Sequence, residues 1–143
     1  MSTRKTTLDE LYGSFAEPAG LDLYGPAGAY RQLARLIRDE APIEVVLGAP
    51  PEDKIETGPI RSIRVVPVEA RMVSVSRHEE SIEVVGGSTS LEDLAGTFEN
   101  LADSIAPRGP VLTHFDLEWF PGHGFLDESS KWMTTFLLPD TQD

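Results

Sequence analysis

The sequence predicts an α+β fold in which two helices pack on one face of a single, mostly antiparallel sheet of six or seven strands. Two observations predict it. Apolar residues recur at helical spacing in two stretches, and seven strand-like segments lie between glycine and proline breakers. The clearest run of signals, Ile82–Trp119, contains a strand, a helix and a second strand. Helices gathered on one face of an antiparallel sheet are typical of such an order.

The first third of the chain predicts an arm, a strand, a helix and a strand. Residues 1–20 are polar and broken by glycine and proline, which indicates a loose N-terminal arm. Apolar and polar residues alternate in Leu21–Tyr24, as in a short strand. From Ala27 to Glu40, apolar residues recur at i, i+3, i+4 and i+7, which predicts an amphipathic helix. Pro42 ends this helix, and the β-branched segment Ile43–Leu47 is the next strand.

The middle of the chain predicts a loop and a group of strands. Residues 48–59 contain three prolines and two glycines and indicate a surface loop. Arg61–Glu69 and Arg71–Arg77 are rich in valine and predict two strands. A turn after Arg77 leads into Ile82–Val85, which makes this pair the predicted hairpin.

The second helix has the strongest local signals. Thr89 and Glu92 match a capping box, and apolar residues then keep helical spacing for four turns until Pro107. Val111–Phe120 alternates and predicts a strand whose outer side carries histidine and acidic residues. Lys131–Leu138 predicts the last strand.

The domain organisation follows from these elements. We expect a single domain over residues 21–139 and a short acidic tail at 140–143. The two helices also align at an offset of 61 residues, and each follows a strand that ends in glycine. A duplicated βαββ unit, with Arg71–Arg77 as an extra strand between the copies, is therefore a candidate internal repeat.

Composition and charge limit the classes of function. The formal net charge is −12, from 24 acidic and 12 basic residues, and such an excess repels phosphate backbones, so we expect no nucleic-acid partner. No window approaches the apolar length of a membrane span, and acidic residues stand where a signal peptide needs apolar ones. We therefore expect a cytoplasmic protein without membrane contact. The absence of cysteine excludes disulfides, thiolate metal sites and cysteine nucleophiles.

The acidity is concentrated near the C-terminus, where residues 88–143 hold ten acidic and two basic residues. Such a surface attracts and steers basic partners. We expect a basic protein partner, bound by a monomer or a homodimer. The expected contact residues lie in the 48–59 loop and around the last two strands: Glu52, Asp53, Glu56, His114, Asp116, Glu118, Phe120, His123, Asp127 and Glu128.

Two other hypotheses remain open. A small metal-dependent hydrolase would be centred on His114, Asp116 and His123, because two imidazoles and a carboxylate are a zinc-ligand combination. The spacing matches no HExxH or HxH pattern, so we expect an ordinary polar strand face with no catalytic residue, metal or cofactor. The other hypothesis is a ligand-binding module that dimerises through an edge strand.

A family resemblance covers residues 82–138. Its features are a strand ending in glycine, a helix that begins like Ser90–Ala95, a strand like Thr113–Leu117, a Pro-Gly loop followed by Phe125–Ser130, and a final apolar strand. This pattern resembles a family of small bacterial immunity proteins, the thirty-second numbered family of the polymorphic-toxin systems. The resemblance implies a non-enzymatic, stoichiometric inhibitor that is made beside a toxin and blocks it in the producing cell. It implies no catalytic residue.

Overall fold

The computed structural model describes residues 3–16, 20–39, 41–51, 58–104 and 113–138, which contain nine strands and two helices. The strands are β1 (Arg4–Leu8), β2 (Tyr12–Ala16), β3 (Gly20–Gly25), β4 (Ile43–Leu47), β5 (Ser62–Pro67), β6 (Ser74–His78), β7 (Ser81–Gly86), β8 (Thr113–Leu117) and β9 (Trp132–Leu137). The helices are α1 (Ala27–Arg38) and α2 (Ser88–Ala102). The predicted α+β class is confirmed. The predicted tail at 140–143 lies outside the described residues.

The strands form two mixed sheets, so the predicted single, mostly antiparallel sheet is wrong. Sheet A has the order β1-β4-β5-β7-β6, and sheet B has the order β2-β3-β9-β8. Helix α1 joins β3 of sheet B to β4 of sheet A, and α2 joins β7 of sheet A to β8 of sheet B. Apolar alternation identifies a strand and its buried side, but it does not identify the neighbouring strand. For this reason the sequence pattern predicted one sheet where the structure has two.

The predicted loose arm is also wrong for the described part of residues 1–20. Strand β1 pairs in parallel with β4, and β2 pairs with β3 in an antiparallel hairpin. Between and within these strands, Leu11 and Phe15 are almost fully buried. The strands are short and carry polar residues, so their identity depends on pairing with distant strands more than on local propensity.

The two helices pack against each other in opposite directions. Near the start of α1, the Arg31 guanidinium donates a hydrogen bond to the carbonyl of Ala102 at the end of α2, with an N–O distance of 3.2 Å. At the other end, Arg38 Nε donates to the Glu92 carboxylate at 2.8 Å. The buried residues of both helices and both sheets form one hydrophobic cluster.

Tyr30 joins α1 to sheet B. Its hydroxyl oxygen lies 3.1 Å from the carbonyl oxygen of Leu23 on β3 and 2.9 Å from that of Phe136 on β9. Its ring stacks on Phe98 of α2 with a centroid distance of 6.0 Å. Burial raises the pKa of the Tyr30 phenol well above its ordinary value, so it remains a neutral donor.

The start of α2 differs from the predicted capping box. The N-cap residue is Gly87, with no side-chain capping hydrogen bond, so Thr89 lies inside the first turn. The Glu92 carboxylate accepts hydrogen bonds from Arg38. The carboxylate of Glu92, which a capping box would use to bind the N-cap amide, is therefore engaged in pairing with α1.

The strand pairing repeats along the chain. The order β2-β3-α1-β4-β5 is followed by the same order in β6-β7-α2-β8-β9, and each sheet combines the first hairpin of one unit with the second hairpin of the other. The parallel registers agree: Gly20–Gly25 pairs with Trp132–Leu137, as Ser81–Gly86 pairs with Ser62–Pro67. The repeating unit is therefore ββαββ. Strand β6, predicted as an extra strand, is the counterpart of β2, and β1 stands outside the repeat.

Two glycine-to-alanine substitutions test the packing around α2. A methyl group at Gly87 would overlap the carbonyl oxygen of Ala70, whereas one at Gly96 would meet no atom within 4 Å. We expect Gly87→Ala to lower the free energy of unfolding by about 1–3 kcal/mol. Gly96→Ala should raise it by about 0.5–1 kcal/mol, because alanine is the better helix former. Urea unfolding measures both, and equal effects of the two changes would contradict the described helix start.

Candidate binding face on sheet B

The outer face of sheet B carries a row of four aromatic rings, one on each strand. Cross-strand pairing sets the row in the order Tyr12, Tyr24, Phe136, His114. Adjacent ring centroids lie 5.2 Å apart for Tyr12 and Tyr24, and 4.6 Å apart for Tyr24 and Phe136. The His114 ring is tilted against Phe136 at 5.8 Å. The residues that alternate with these rings on β3 and β9 are buried, so the row lies on the side away from the core.

A second row on the same face is acidic. Pairing places Asp22 beside Thr134 and Thr134 beside Asp116. The Thr134 hydroxyl donates to the Asp116 carboxylate at 2.8 Å, and His114 Nε2 lies 3.9 Å from the second carboxylate oxygen. Every residue of these four strands is described, and none of them is lysine or arginine. The strands of sheet B thus offer rings and carboxylates on one face and no lysine or arginine.

The corresponding row of sheet A alternates in charge. Pairing places Lys5 beside Glu44, Glu44 beside Arg64, and Arg64 beside Glu83. Lys5 Nζ lies 3.6 Å and Arg64 Nε 3.3 Å from Glu44 carboxylate oxygens. The hydroxyl of Ser62 also donates to Glu44 at 2.9 Å. The Ser62 hydrogen bond first, with further contributions from Arg64 and Lys5, holds the pKa of the Glu44 carboxyl below its ordinary value.

The two rows occupy equivalent places in the repeat. Strand β5 pairs with β7 in the same parallel register in which β9 pairs with β3, so Arg64 of β5 corresponds to Thr134 of β9. Glu44 lies opposite Arg64, and Asp116 lies opposite Thr134, so Glu44 corresponds to Asp116. Thr134 stands where sheet A has a guanidinium. Asp116 therefore has a neutral hydroxyl neighbour in the place where Glu44 has a cation.

Large apolar side chains are exposed on and beside the last two strands. Phe115 on β8 is 45% exposed, Phe120 after it 56%, and Trp132 at the start of β9 49%. Among the described residues, only Val68 joins them as an exposed large hydrophobic residue. Exposed aromatic side chains are frequent at binding surfaces.

The structure brings four of the predicted contact residues together. His114 and Asp116 lie on the outer face of β8, and Glu118 and Phe120 are exposed in the segment that follows it. The predicted alternation of this strand is confirmed from His114 to Leu117, except that Phe115 on the inward side is not buried. These four residues form the acidic and aromatic end of the face.

The other described candidates lie in the connection between β8 and β9. His123 Nδ1 accepts hydrogen bonds from two backbone amides that follow it, at 3.2 and 3.0 Å. The Asp127 carboxylate accepts from the amide and hydroxyl of Ser129, which hold the pKa of Asp127 below its ordinary value. Glu128 is exposed. His123 and Asp127 thus shape the connection itself, which runs beside β6 of sheet A.

Three candidates lie in the segment between β4 and β5. Glu52, Asp53 and Glu56 are outside the described residues, so their contact role stays a prediction.

The three residues of the metal-site hypothesis, His114, Asp116 and His123, are all described. In the described ranges no three His, Cys, Asp or Glu side chains come together as a group that could hold a metal ion. The hydrolase hypothesis therefore has no assembled ligand set at these residues.

Part of the C-terminal acidity is paired within the fold. Arg38 contacts Glu92 and Glu99 at 2.8 and 2.5 Å, and Arg31 contacts Asp103 at 3.0 Å. Hydrogen bonding to Arg38 holds the pKa of the Glu99 carboxyl below its ordinary value. Glu92, Glu99 and Asp103 of α2 therefore contribute to helix packing, whereas Asp116 lies on the outer face of sheet B beside Thr134 and His114.

Sequence analysis missed three of the four rings on the face. Tyr12 was assigned to the arm, and Tyr24 and Phe136 were read only as members of their strands. The alternation in Leu21–Tyr24 did place Asp22 and Tyr24 on one side. The register that aligns them with Phe136, 112 positions after Tyr24, has no local signal.

Comparisons of the chain with protein-family models and with curated proteins found no match. Neither described helix has the length and apolarity that crossing a bilayer requires. The functional interpretation therefore depends on the chemistry of the face and on the resemblance described above.

The first prediction for these rows concerns Glu44. Ser62→Ala removes its hydrogen bond and should cost about 1–2 kcal/mol at pH 7. Because the folded-state pKa of Glu44 is depressed, its contribution is present above the unfolded-state value of about 4.3 and is lost as pH falls through the folded value. The difference in unfolding free energy between wild type and variant should shrink from pH 7 to pH 3. A difference that stays constant over this range would assign the cost to the buried hydroxyl of Ser81 alone.

The second prediction concerns the equivalent place in sheet B. Thr134→Arg supplies the guanidinium that sheet A has at Arg64, and Thr134→Gln is its uncharged control of similar reach. We expect the arginine variant to be more stable than the glutamine variant by up to about 1 kcal/mol at low ionic strength, with the difference reduced by salt. Equal stability of the two variants in low salt would mean that the Asp116 position is not equivalent to that of Glu44.

Proposed function

We propose that this protein is a non-enzymatic immunity-type inhibitor that binds a basic toxin made in the same bacterial cell. The outer face of sheet B is its binding surface. The observation that carries this proposal is the combination on that face: a four-ring row, two aspartates and the exposed Trp132, with no lysine or arginine in the four strands.

The physical argument has two parts. Cross-strand stacking already holds these rings in place in the free protein. Binding to their apolar surface therefore loses little side-chain conformational entropy, which favours tight association. Carboxylates such as Asp116 and Glu118 raise the association rate of a basic partner and disfavour acidic ones. An inhibitor that must capture its toxin before damage occurs benefits from both effects.

The class of partner comes from the resemblance of residues 82–138 to the immunity family. The same residues contribute β8, β9 and the exposed Trp132 to the proposed surface, and the exposed Phe120 follows β8. Action in the cytoplasm of the producing cell, before the toxin is exported, is part of the proposal. Acidic residues of the 52–56 segment remain expected additional contacts.

Charge reversal on the face tests the proposal. The toxin domain encoded beside this gene is expressed in a host cell with the wild-type protein, with Asp116→Lys, or with Glu69→Lys. Glu69 is exposed after β5 and undergoes the same change of charge away from the face. We expect the wild type and Glu69→Lys to protect growth, while Asp116→Lys weakens the complex by about tenfold or more at low salt.

Two further measurements complete this test. Thermal unfolding must show that Asp116→Lys is folded, and the affinity of the wild type should fall as salt is added. Absence of both protection and a complex with the wild type would overturn the proposed function. Equal weakening by the Asp116 and Glu69 changes would place the binding surface elsewhere.

A further inference from the structure

The hairpins of the two repeat units have four outer strands, β4 and β6 in sheet A and β2 and β8 in sheet B. Three of these strands, β2, β4 and β6, are covered on their outer side by another segment of the chain, and β1, which covers β4, is then the edge strand of sheet A. The outer edge of β2 pairs with residues 58–60: Phe15 N–H donates to Gly58 O at 3.0 Å, and Ile60 N–H donates to Gly13 O at 2.9 Å. The outer edge of β6 is covered by the connection before β9, where Lys131 N–H donates to Val75 O at 2.8 Å. These two coverings are counterparts in the repeat.

The two remaining edges differ. The outer edge of β4 is covered by β1, which runs parallel to it from Arg4 to Leu8. Its counterpart in sheet B is the outer edge of β8, and no strand among the described residues pairs with it. An open strand edge presents unpaired backbone donors and acceptors and is a template for an added strand.

We propose that the outer edge of β8 binds an extended basic segment of the toxin, which runs parallel to β8 and places a lysine or arginine beside Asp116. The nature of the partner rests on the proposed function. The geometry of the contact rests on the repeat, in which β1 already makes this contact on sheet A.

The registers specify which backbone groups are available. Arg4 N–H donates to Pro42 O on the β1 side, and Leu47 N–H donates to Arg61 O on the β5 side. Alternate residues of β4, including Glu44, therefore direct their backbone toward β1. The counterpart of Glu44 is Asp116, so its amide and carbonyl face the open edge.

The side chains support the same geometry. Lys5 of β1 pairs with Glu44, and the incoming segment would present its basic residue to Asp116 in the same position. Phe115 corresponds to Ile43, which is 1% exposed, whereas Phe115 is 45% exposed. An added strand would cover this ring and place a cation beside Asp116, as β1 places Lys5 beside Glu44.

Charge also selects a foreign basic segment over a second copy of this chain. A symmetric pair of β8 strands centred on Asp116 would bring the two Asp116 carboxylates together, where like charges repel. The chain's own basic strand β1 is already paired with β4.

A peptide with the sequence of residues 3–9 (Thr-Arg-Lys-Thr-Thr-Leu-Asp) is a direct probe of the edge. It is added at millimolar concentration to the full chain, and backbone amide shifts are followed by NMR. We expect the amide resonances of β8, including that of Phe115, to shift. A peptide with glutamate in place of its lysine should cause no shift. Absence of shifts on β8 would overturn the edge contact.

Two substitutions of one residue separate charge from backbone. Asp116→Ala removes the carboxylate and keeps the amide, whereas Asp116→Pro also removes the N–H that faces the edge, a change that edge strands tolerate. We expect the affinity for the neighbouring toxin domain to fall about tenfold with alanine and by about a further tenfold with proline. Thermal unfolding of both variants checks that the sheet is intact.

The outcomes distinguish this inference from the proposed function. If the wild type protects growth but proline and alanine at position 116 have equal effects, the edge contact is wrong and the proposed function stands. If the wild type neither binds the toxin domain nor protects growth, the proposed function fails. The NMR shifts caused by the peptide then decide whether the outer edge of β8 binds a basic strand. A homodimer in solution that Asp116→Pro dissociates would assign the edge to a second copy and overturn the inference.

Discussion

The parallel pairing between the two repeat units is the constraint on which the rest of the structure depends. Strand β3 pairs with β9, and β5 pairs with β7, so neither unit contains a complete sheet of its own. Each helix must then cross from one sheet to the other, which brings α1 and α2 together. Because the contacts that close each sheet join residues far apart in sequence, we expect both units to fold together.

The helix pair determines how the acidic charge of the chain is used. Arg31 and Arg38 of α1 contact acids of α2, including Glu92, and these exposed pairs orient the helices while contributing little stability each. A count of charges along the sequence cannot separate such paired acids from presented ones. The separation depends on which helix lies beside which, and the pairing of the sheets sets that arrangement.

Local features of the fold were predictable, and its pairings were not. Helix α1, the strand Ile43–Leu47 and the polar side of β8 follow from spacing and alternation that the sequence displays directly. The offset of 61 residues between the helices marked a true regularity of the strand pairing. Strand β2 escaped prediction because its contacts lie with β3 and with residues 58–60. The ring row escaped for the same reason, since it exists only across four paired strands.

The repeat makes each sheet a reference for the other, and the two sheets differ in three respects. In sheet A the charges alternate along the row that contains Glu44, and β1 covers the outer side of β4. Sheet B replaces Arg64 with Thr134, has no counterpart of β1 among the described residues, and exposes Phe115. The uncovered strand and the exposed ring each leave a contact unmade in the free chain, and at Thr134 a neutral hydrogen bond to Asp116 stands in place of an ion pair. All three differences lie around β8. Losses concentrated at one edge are the pattern expected where a partner supplies the missing contacts, because the complex then recovers what the free protein lacks.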